Sequence, residues 1–593
     1  MSQTQQTTRP LLLDAQQKIG AGQFEAAIGV CQDLLAVHPR DIDALNTLAI
    51  AYAQSGAAIK SAETFAELIL SAPDVVKFKT NFVSAITILG AKGAQTEKAG
   101  LIKQAVQACL EDDHIAHRAF THIWYLLLMN DSAFAQNVFD DLKDLEEVLC
   151  DPFLHWGLKR LIGAGGIEFE RRMIDLRRLF LFADDFDDEA YLPFLCALAE
   201  QCHFNEYAYF VSDEERAKVG EIEQALNAKD FVLDVKSMAK VALLGCYQDI
   251  DGCDFVHALA QKDIEHESFA ELFKLLVVDP QKVRSLMADI PTLSLIEDAV
   301  SVAVRAQYED NPYPRWRSIT APALTDEQRE HGRGKHILIA GCGTGQEILN
   351  MALHYPEAEM ITGIDLSRAS LAYGKQKAQA LGIENVEFIQ ADILEAYKLD
   401  RGFDLISCSG VLHHMKDPVQ GWKTLLWLLK PEGVMKVALY SKIARSFVTQ
   451  CQQWIEEQGF DATHEGILRF RKVIIDMDDG EPLKKITGPL DFYSTSMCRD
   501  LLFHVQEHVY TLPEIQGILE ALDLDLLSLN IKQAGVLQAY KAQYPDDAAA
   551  KNLENWHIFE QQNPHIFVGM YPLWCGQKGG SFQGGLPDWI FTH

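Results

Sequence analysis

The chain has 593 residues, of which 84 are acidic and 53 basic, so its formal net charge is −31. This length exceeds what one hydrophobic core accommodates, and a multidomain protein is predicted. The acidic balance disfavours a nucleic-acid partner, because phosphate groups would be repelled.

Targeting segments and the spacing of cysteines both bear on the cellular location of the protein. No basic segment followed by an apolar run opens the chain, and no apolar stretch reaches membrane-spanning length, so neither a secretory signal nor a membrane partner is expected. The 12 cysteines show no CxxC spacing. We therefore expect no metal centre and no disulfide framework, and the cytoplasm is the predicted location.

A repeat follows the N-terminal residues 1–10, which are predicted to be flexible. Between residues 11 and 110, a set of small, turn and helix-ending residues recurs after 34 positions: Ala15, Gly22, Ala27, Leu34 and Pro39 return as Ala49, Gly56, Ser61, Leu68 and Pro73. Small residues let two antiparallel helices approach closely, and the proline ends the second helix. The period resembles the tetratricopeptide repeat. The resemblance implies a groove for a protein or peptide partner; a helical cap over the next domain is the alternative.

Residues 111–300 are predicted to be an all-helical middle domain, because apolar residues recur at helical spacing, as at Ile123, Trp124 and Leu127. The prolines at 312 and 314 then force extended backbone and mark a linker or lid over 301–334. We predict that Tyr313, Arg315 and Trp316 cover a bound cofactor or contact the substrate. Domain docking is the other interpretation of these three residues.

From residue 335 to 575, short apolar runs alternate with helical patterns, which predicts an α/β Rossmann-like domain with a mostly parallel sheet. A helix is expected over 513–522, and the last two strands are expected to form an antiparallel pair. The predicted strands are 336–340, 360–364, 386–390, 403–407, 434–440, 525–531 and 565–573. Residues 576–593 are predicted to be a flexible tail.

A glycine-rich loop, Gly341-Cys342-Gly343-Thr344-Gly345, directly follows the first of these strands and precedes a helix. Glycine permits a tight turn and lets a ligand approach the main chain. A dinucleotide-binding loop has the pattern G-x-G-x-x-G, whereas position 346 here is glutamine. The G-x-G-x-G pattern therefore favours a different cofactor.

Two acidic residues follow the next strands. Asp365 closes the second strand, where a carboxylate accepts hydrogen bonds from ribose hydroxyls, and Asp392 follows the third, where it can accept from an adenine amino group. In this order, the features resemble the class I S-adenosylmethionine-dependent methyltransferases over residues 335–440. The resemblance implies a seven-stranded sheet, S-adenosyl-L-methionine as cofactor and S-adenosyl-L-homocysteine as product. The predicted cofactor-binding residues are Gly341, Cys342, Gly343, Gly345, Asp365, Leu366, Asp392, Ile393 and Ser409.

The acceptor side is predicted to lie after the fourth strand and in an insertion over 441–512, at the carboxyl ends of the strands. His413 is predicted as a general base, because histidine titrates near neutral pH, and Tyr493 as a second catalytic residue. His414 is expected to shape the cofactor wall instead. His504 and His508 are expected to share one helix face. Further substrate-binding residues are predicted at Arg499, His504, Gln506, Glu507 and His508.

Most of the chain is similar to bacterial methyltransferases that carry tetratricopeptide repeats, on the basis of the proline-rich segment and the segment from Asp491 to His508. The resemblance implies methylation of a protein or peptide side chain presented by the repeats. One alternative is a small-molecule methyltransferase that uses the repeats to form a homo-oligomer. The other is a scaffold without catalysis, and the intact glycine loop with both aspartates argues against it.

Overall fold

The structure is a computed structural model that describes residues 3–91, 97–130, 134–135, 142–228, 232–310, 312–319, 321–322, 324–531, 533–567, 569–580 and 586–590. The chain forms two compact units. The first comprises residues 1–278, 317–320 and 487–494, and the second comprises 279–316, 321–486 and 495–593. Residues 279–300 of the predicted middle domain thus belong to the second unit. No helix among the described residues is long and apolar enough to cross a membrane.

The first unit is helical in its described part. Its α-helices are Gln3–Gly20, Phe24–Val37, Ile42–Gln54, Ala58–Ser71, Val76–Ala91, Ala99–Leu110, Thr121–Met129, Glu146–Leu149, Pro152–Arg160, Gly166–Phe182, Asp188–Phe204, Asp213–Leu226, Val235–Gly245, Phe255–Leu259 and Glu267–Phe273. A π-helical turn spans Lys274–Val278. Short 3₁₀ turns in the chain lie at His117–Phe120, Leu142–Leu145, Ile393–Leu399, Leu412–His414, Pro482–Thr487 and Leu490–Tyr493.

The residues of the 34-residue repeat lie where consecutive helices meet. Ala15 and Ala49 are fully buried, and the Ser61 hydroxyl donates to the Ala49 carbonyl over 2.9 Å. Gly22 and Gly56 lie in the turns with φ of +74° and +81°, which glycine adopts at no steric cost. The repeat therefore corresponds to successive helix pairs joined by glycine turns.

The core of the first unit is rich in aromatic residues. The Trp124 ring packs edge-on against Phe169, with ring centroids 5.4 Å apart, and its Nε1 donates to the Phe153 carbonyl over 2.9 Å. A Cβ at Gly157 would lie 1.9 Å from the Trp124 ring, so only glycine lets the helix Pro152–Arg160 approach this indole. Packing of this kind fixes the helix positions.

The second unit is built on a seven-stranded sheet with the order β3-β2-β1-β4-β5-β7-β6. The strands are β1 His336–Ala340, β2 Met360–Asp365, β3 Val386–Gln390, β4 Phe403–Ser409, β5 Leu429–Tyr440, β6 Leu524–Leu529 and β7 Met570–Gln577. The pairs among β1 to β5 are parallel, while β7 pairs antiparallel with β5 and β6. The predicted Rossmann-like fold with a mostly parallel sheet is confirmed.

Helices accompany the sheet of the second unit. They are Asp279–Met287, Ala299–Asp310, Asp326–Arg329, Gln346–His354, Arg368–Leu381, Pro418–Leu428, Ser446–Gln458, His464–Asp476, Thr495–Leu502, Leu512–Ala521, Ala534–Gln543 and Leu553–Gln562. The strand order reverses between β1 and β4, which are adjacent although β2 and β3 separate them in the chain. Ligands of such sheets bind at the carboxyl ends of the strands beside this reversal.

Three local predictions were wrong. The fifth strand, predicted over 434–440, begins at Leu429, because Leu429 already pairs with Phe403 across a bulge. The final strand begins at Met570 rather than at 565. The predicted flexible tail begins too early, since Gly576 and Gln577 belong to β7 and the Trp589 ring lies 6.0 Å from that of Tyr355. Residues 581–585 and 591–593 of that tail lie outside the described residues.

Candidate active site

A cavity of about 330 Å³ opens at the carboxyl ends of β1, β2 and β4 in the second unit. This volume is typical of small-molecule sites. Its walls come from the proline-rich segment, the glycine loop and the ends of several strands. They are formed by Val300, Ser301, Val304, Tyr308, Tyr313, Pro314, Gly341, Cys342, Gly343, Gln346, Glu347, Ile364, Asp365, Leu366, Ser370, Ala391, Asp392, Ile393, Ser409, Gly410, Val411, His414, Met415, Tyr440, Asp500 and Met570.

The glycine loop turns sharply beneath this cavity. Gly341, Gly343 and Gly345 have φ of +76°, +51° and +86°, a region that side chains with a Cβ rarely adopt. A Cβ at Gly343 would lie 2.6 Å from the Tyr313 carbonyl oxygen. Gly345 does not line the cavity; it precedes the helix Gln346–His354, and a Cβ there would lie 2.9 Å from Gly374 Cα. Gly345 thus serves backbone packing.

Asp365 is held by the loop that it faces. Its carboxylate accepts the Gly343 N–H over 2.8 Å and the Ser367 N–H over 2.9 Å. Burial raises the pKa of Asp365, while these backbone donors act to lower it. Each oxygen of a carboxylate accepts more than one hydrogen bond, so both retain capacity for the hydroxyls of a ligand.

Asp392 is 4% exposed and lines the cavity beside Ile393. Its carboxylate accepts the Leu394 N–H over 2.9 Å, which orients it at the start of the turn Ile393–Leu399. Leu366, Cys342 and Ser409, three further residues of the predicted cofactor site, also line the cavity. Burial raises the pKa of the Cys342 thiol far above its usual value, so the thiol stays neutral.

The proline-rich segment is attached to the glycine loop by hydrogen bonds. The Thr344 N–H donates to the Tyr313 carbonyl over 3.3 Å, and the Thr344 hydroxyl donates to the Pro314 carbonyl. The Trp316 Nε1 donates to the Thr344 carbonyl over 3.2 Å. Of the three predicted contact residues, Tyr313 lines the cavity, whereas Arg315 and Trp316 do not. Trp316 fixes the segment instead.

The histidine pair after β4 has the opposite arrangement to the predicted one. His414 lines the cavity, and its Nδ1 donates to the Gln506 carbonyl over 2.8 Å. His413 is fully buried and stacks on Tyr440, with ring centroids 3.8 Å apart; neither of its ring nitrogens has a hydrogen-bond partner among the described residues. The prediction of His413 as a base in the cavity was therefore wrong. His414 is the histidine that a ligand can reach.

The predicted substrate segment from Arg499 to His508 makes mostly internal contacts. The helix Thr495–Leu502 ends before His504, so His504 and His508 do not share a helix face, contrary to the prediction. Glu507 and Arg445 form a buried ion pair at 2.7 Å. The Arg499 Nε donates to the Ala462 carbonyl over 3.0 Å, and the His508 Nε2 lies 3.1 Å from the Met415 carbonyl.

Gln506 contacts His414 and His504 through its main chain, and its side-chain Nε2 lies 3.2 Å from the His508 Nε2. None of the five predicted residues of this segment lines the cavity. Tyr493 belongs to the first unit, where its hydroxyl donates to the Thr487 carbonyl over 2.7 Å. This geometry gives its predicted catalytic role no support.

Sequence reasoning missed Tyr308 and Asp500, which both line the cavity. The Tyr308 hydroxyl donates to the Asp500 Oδ1 over 2.5 Å and lies 3.2 Å from the His504 Nε2. One ring nitrogen each of His414 and His504 and one Asp500 oxygen lie within 4.8 Å of one another, a spacing that could also hold a metal ion. No sequence pattern joins Tyr308 or His414 to Asp500 and His504, because these three segments are far apart along the chain.

The sheet, the glycine loop and the two aspartates are the features that define class I methyltransferase domains. In agreement, residues 331–474 match the family described as a methyltransferase domain. The chain therefore contains a class I S-adenosylmethionine-dependent methyltransferase domain.

Several known proteins are similar to parts of this chain. An uncharacterized protein of Synechococcus sp. is 35% identical over 174 residues, which are 27% of this chain and 41% of that protein. The ubiquinone biosynthesis O-methyltransferase of Acinetobacter baumannii is 29% identical over 124 residues, 21% of this chain and 51% of that enzyme. The chain thus spans about half or less of these relatives' length. The structure of PKMT2 from Rickettsia typhi is 17% identical with a TM-score of 0.35, covering 49% of this chain and 54% of that one.

Replacing Gly343 with alanine is expected to lower the affinity for S-adenosylhomocysteine at least tenfold in calorimetry. The added Cβ meets the Tyr313 carbonyl, so either the loop or the segment that covers it must move. Gly382→Ala is the matched control, because Gly382 has a φ of +66° but open space around its Cβ position. Equal affinities in the two variants would contradict the fit of segment and loop.

Proposed function

We propose that this protein transfers the methyl group of S-adenosylmethionine to a side chain of a protein or peptide. One observation supports methyl transfer above all: the glycine loop, Asp365 and Asp392 line the same cavity. With the cofactor bound, Asp365 would accept from the ribose hydroxyls and Asp392 from the adenine amino group, and Ile393 would cover the adenine ring. The cofactor supplies an electrophilic methyl group on a sulfonium.

The residues of the chain then have the task of aligning the acceptor behind the methyl group and excluding water. Tyr313 and Pro314 extend the wall above the glycine loop, where they shield a bound ligand from solvent. Apolar groups such as Met415 and Met570 complete the lining. Methyl transfer by in-line displacement needs positioning more than it needs a strong acid or base.

The N-terminal helix pairs support a macromolecular acceptor. Their glycine turns and buried small residues fit stacked repeats of the tetratricopeptide type, which present a groove to a peptide. The proposal therefore includes a protein or peptide partner bound by residues 11–110, in the cytoplasm. Self-association through the same helices, with a small-molecule acceptor, remains the competing interpretation, whereas a nucleic-acid partner is disfavoured by the charge of −31.

Calorimetry with the full-length protein tests the cofactor half of the proposal. S-adenosylhomocysteine is expected to bind with one-to-one stoichiometry, and absence of binding would refute the enzyme and favour a scaffold. Incubation with methyl-labelled cofactor in a lysate of cells that lack the protein tests the acceptor half. Label is expected in a polypeptide; label confined to small molecules would refute the protein acceptor.

A further inference from the structure

Three polar side chains of the cavity have no role in cofactor binding as proposed: Tyr308, His414 and Asp500. They come from distant parts of the chain, the helix Ala299–Asp310, the turn after β4 and the helix Thr495–Leu502. All three line the same cavity as the predicted cofactor residues. Their polar groups therefore lie where a methyl acceptor would have to bind. The inference below rests on the proposed methyl transfer and concerns the class of acceptor.

Gln506 fixes the proton positions of two histidines. Its N–H donates to the His504 Nδ1 over 3.2 Å, so the His504 proton sits on Nε2 and is donated to the Tyr308 oxygen. Its carbonyl accepts from the His414 Nδ1 over 2.8 Å, so the His414 Nε2 carries a lone pair. The Tyr308 proton is in turn donated to Asp500.

As a result, all three groups offer hydrogen-bond acceptors to the cavity. The Tyr308 oxygen has given its own proton to Asp500 and keeps one lone pair beside the His504 donor. Asp500 lines the cavity and has partners in the structure besides Tyr308, and a carboxylate has about four acceptor sites through which a ligand can be bound as well. The His414 Nε2 has a lone pair and makes no hydrogen bond among the described residues. The matching ligand is a group rich in N–H or O–H donors.

The charge of the cavity wall also limits the class of acceptor that can bind. Among the described residues, the lining contains the carboxylates of Asp365, Asp392 and Asp500 and no lysine or arginine, while the Glu347 carboxylate is paired with Lys436 at 3.1 Å. An anionic acceptor such as a carboxylate or a phenolate would be repelled, because charges interact strongly in a partly buried site. A hydroxyl would fill only one of the three acceptors with its single proton, whereas a primary ammonium carries three N–H donors and a positive charge.

We propose that Asp500, Tyr308 and His414 form the acceptor subsite for a primary amine, which enters as its ammonium ion. The ammonium releases one proton to water at the mouth of the cavity, and its two remaining N–H groups donate to the His414 Nε2 and to the Asp500 carboxylate. The nitrogen lone pair then forms a bond to the methyl carbon, and the carbon–sulfur bond breaks with its electron pair going to sulfur. The products are a methylammonium ion and a neutral thioether. His504 is a positioning residue that orients the Tyr308 oxygen.

Binding of two small probes to the full-length protein saturated with S-adenosylhomocysteine tests this subsite. In ligand-observed NMR, n-butylammonium is expected to bind at least tenfold more tightly than n-butanol. Asp500→Asn is expected to remove this preference, while affinity for S-adenosylhomocysteine stays within twofold. Asp476→Asn is the matched control, because it makes the same change at a surface position that pairs with Lys472, and no effect is expected.

Three results would overturn the amine subsite. They are equal binding of the two probes, an unchanged preference in Asp500→Asn, and Zn²⁺ that binds one-to-one and excludes the amine. In the lysate experiment, the label is expected in acid-stable methylamines, and label released by mild base would mean an ester and contradict the subsite. Failure to bind S-adenosylhomocysteine would instead refute the proposed function itself, so the two failures are distinguishable.

Discussion

Replacing Asp365 with alanine is expected to lower the affinity for S-adenosylhomocysteine by at least about 100-fold. The variant loses a charged acceptor for the ribose hydroxyls, and hydrogen bonds to charged groups contribute about 1.5–3 kcal/mol each. Two such bonds correspond to about 3 kcal/mol or more, which is a factor of at least 100 in the dissociation constant. The Gly343 and Ser367 N–H groups also lose their shared acceptor, which loosens the loop.

Calorimetry of the wild type, Asp365→Ala and two comparison variants checks this expectation. Asp365→Asn keeps one oxygen acceptor and is expected to lose less affinity than the alanine variant. Asp476→Ala removes a surface carboxylate and is expected to bind like the wild type. If Asp365→Ala bound with unchanged affinity, the assignment of the ribose to β2 would be wrong.

Acid is expected to destabilise the second unit through its buried histidines. Burial lowers the pKa of His413 and His414 well below the usual histidine value, and the charges of Arg445 and, when protonated, of His504 and His508 lower that of His413 further. The unfolded chain takes up protons at these positions below about pH 6.5, while the folded chain does not. The contribution of each buried neutral histidine to the free energy of unfolding is therefore fully present above pH 6.5. It is lost as the pH falls, by up to about 2 kcal/mol per histidine at pH 5.

Urea unfolding at pH 7.5 and pH 5.0 measures this loss. Asp365, Glu507 and Glu560 have a pKa raised mainly by burial, so they bind protons more readily in the folded chain and oppose the loss. A variant comparison isolates the histidine. His413→Leu keeps a similar volume, and its free energy of unfolding is expected to fall less than that of the wild type between the two pH values, by a difference of up to about 2 kcal/mol. An equal fall in the free energy of unfolding of both proteins between the two pH values would contradict the prediction.

The sequence by itself determined the sheet and the cofactor side of the site. Strands β1 and β3 match their predicted bounds, since short apolar runs between turn residues signal buried parallel strands. The glycine loop, Asp365 and Asp392 each lie at or just beyond the carboxyl end of a strand, and parallel strands bring their carboxyl ends to one edge. Spacing along the chain therefore places these residues in one cavity without knowledge of the packing.

Only the tertiary structure decided which residues form the proposed acceptor side. The hydrogen bond from Tyr308 to Asp500 joins residues 192 positions apart, and no local pattern predicts such a pair. The orientation of the 3₁₀ turn Leu412–His414 decides that His414 faces the cavity while His413 is buried against Tyr440. His413 and His414 are adjacent residues of the same type, so the sequence cannot determine which of them faces the cavity. The proton position of His414 follows from the main chain of Gln506, which lies in a different segment and also sets the proton position of His504.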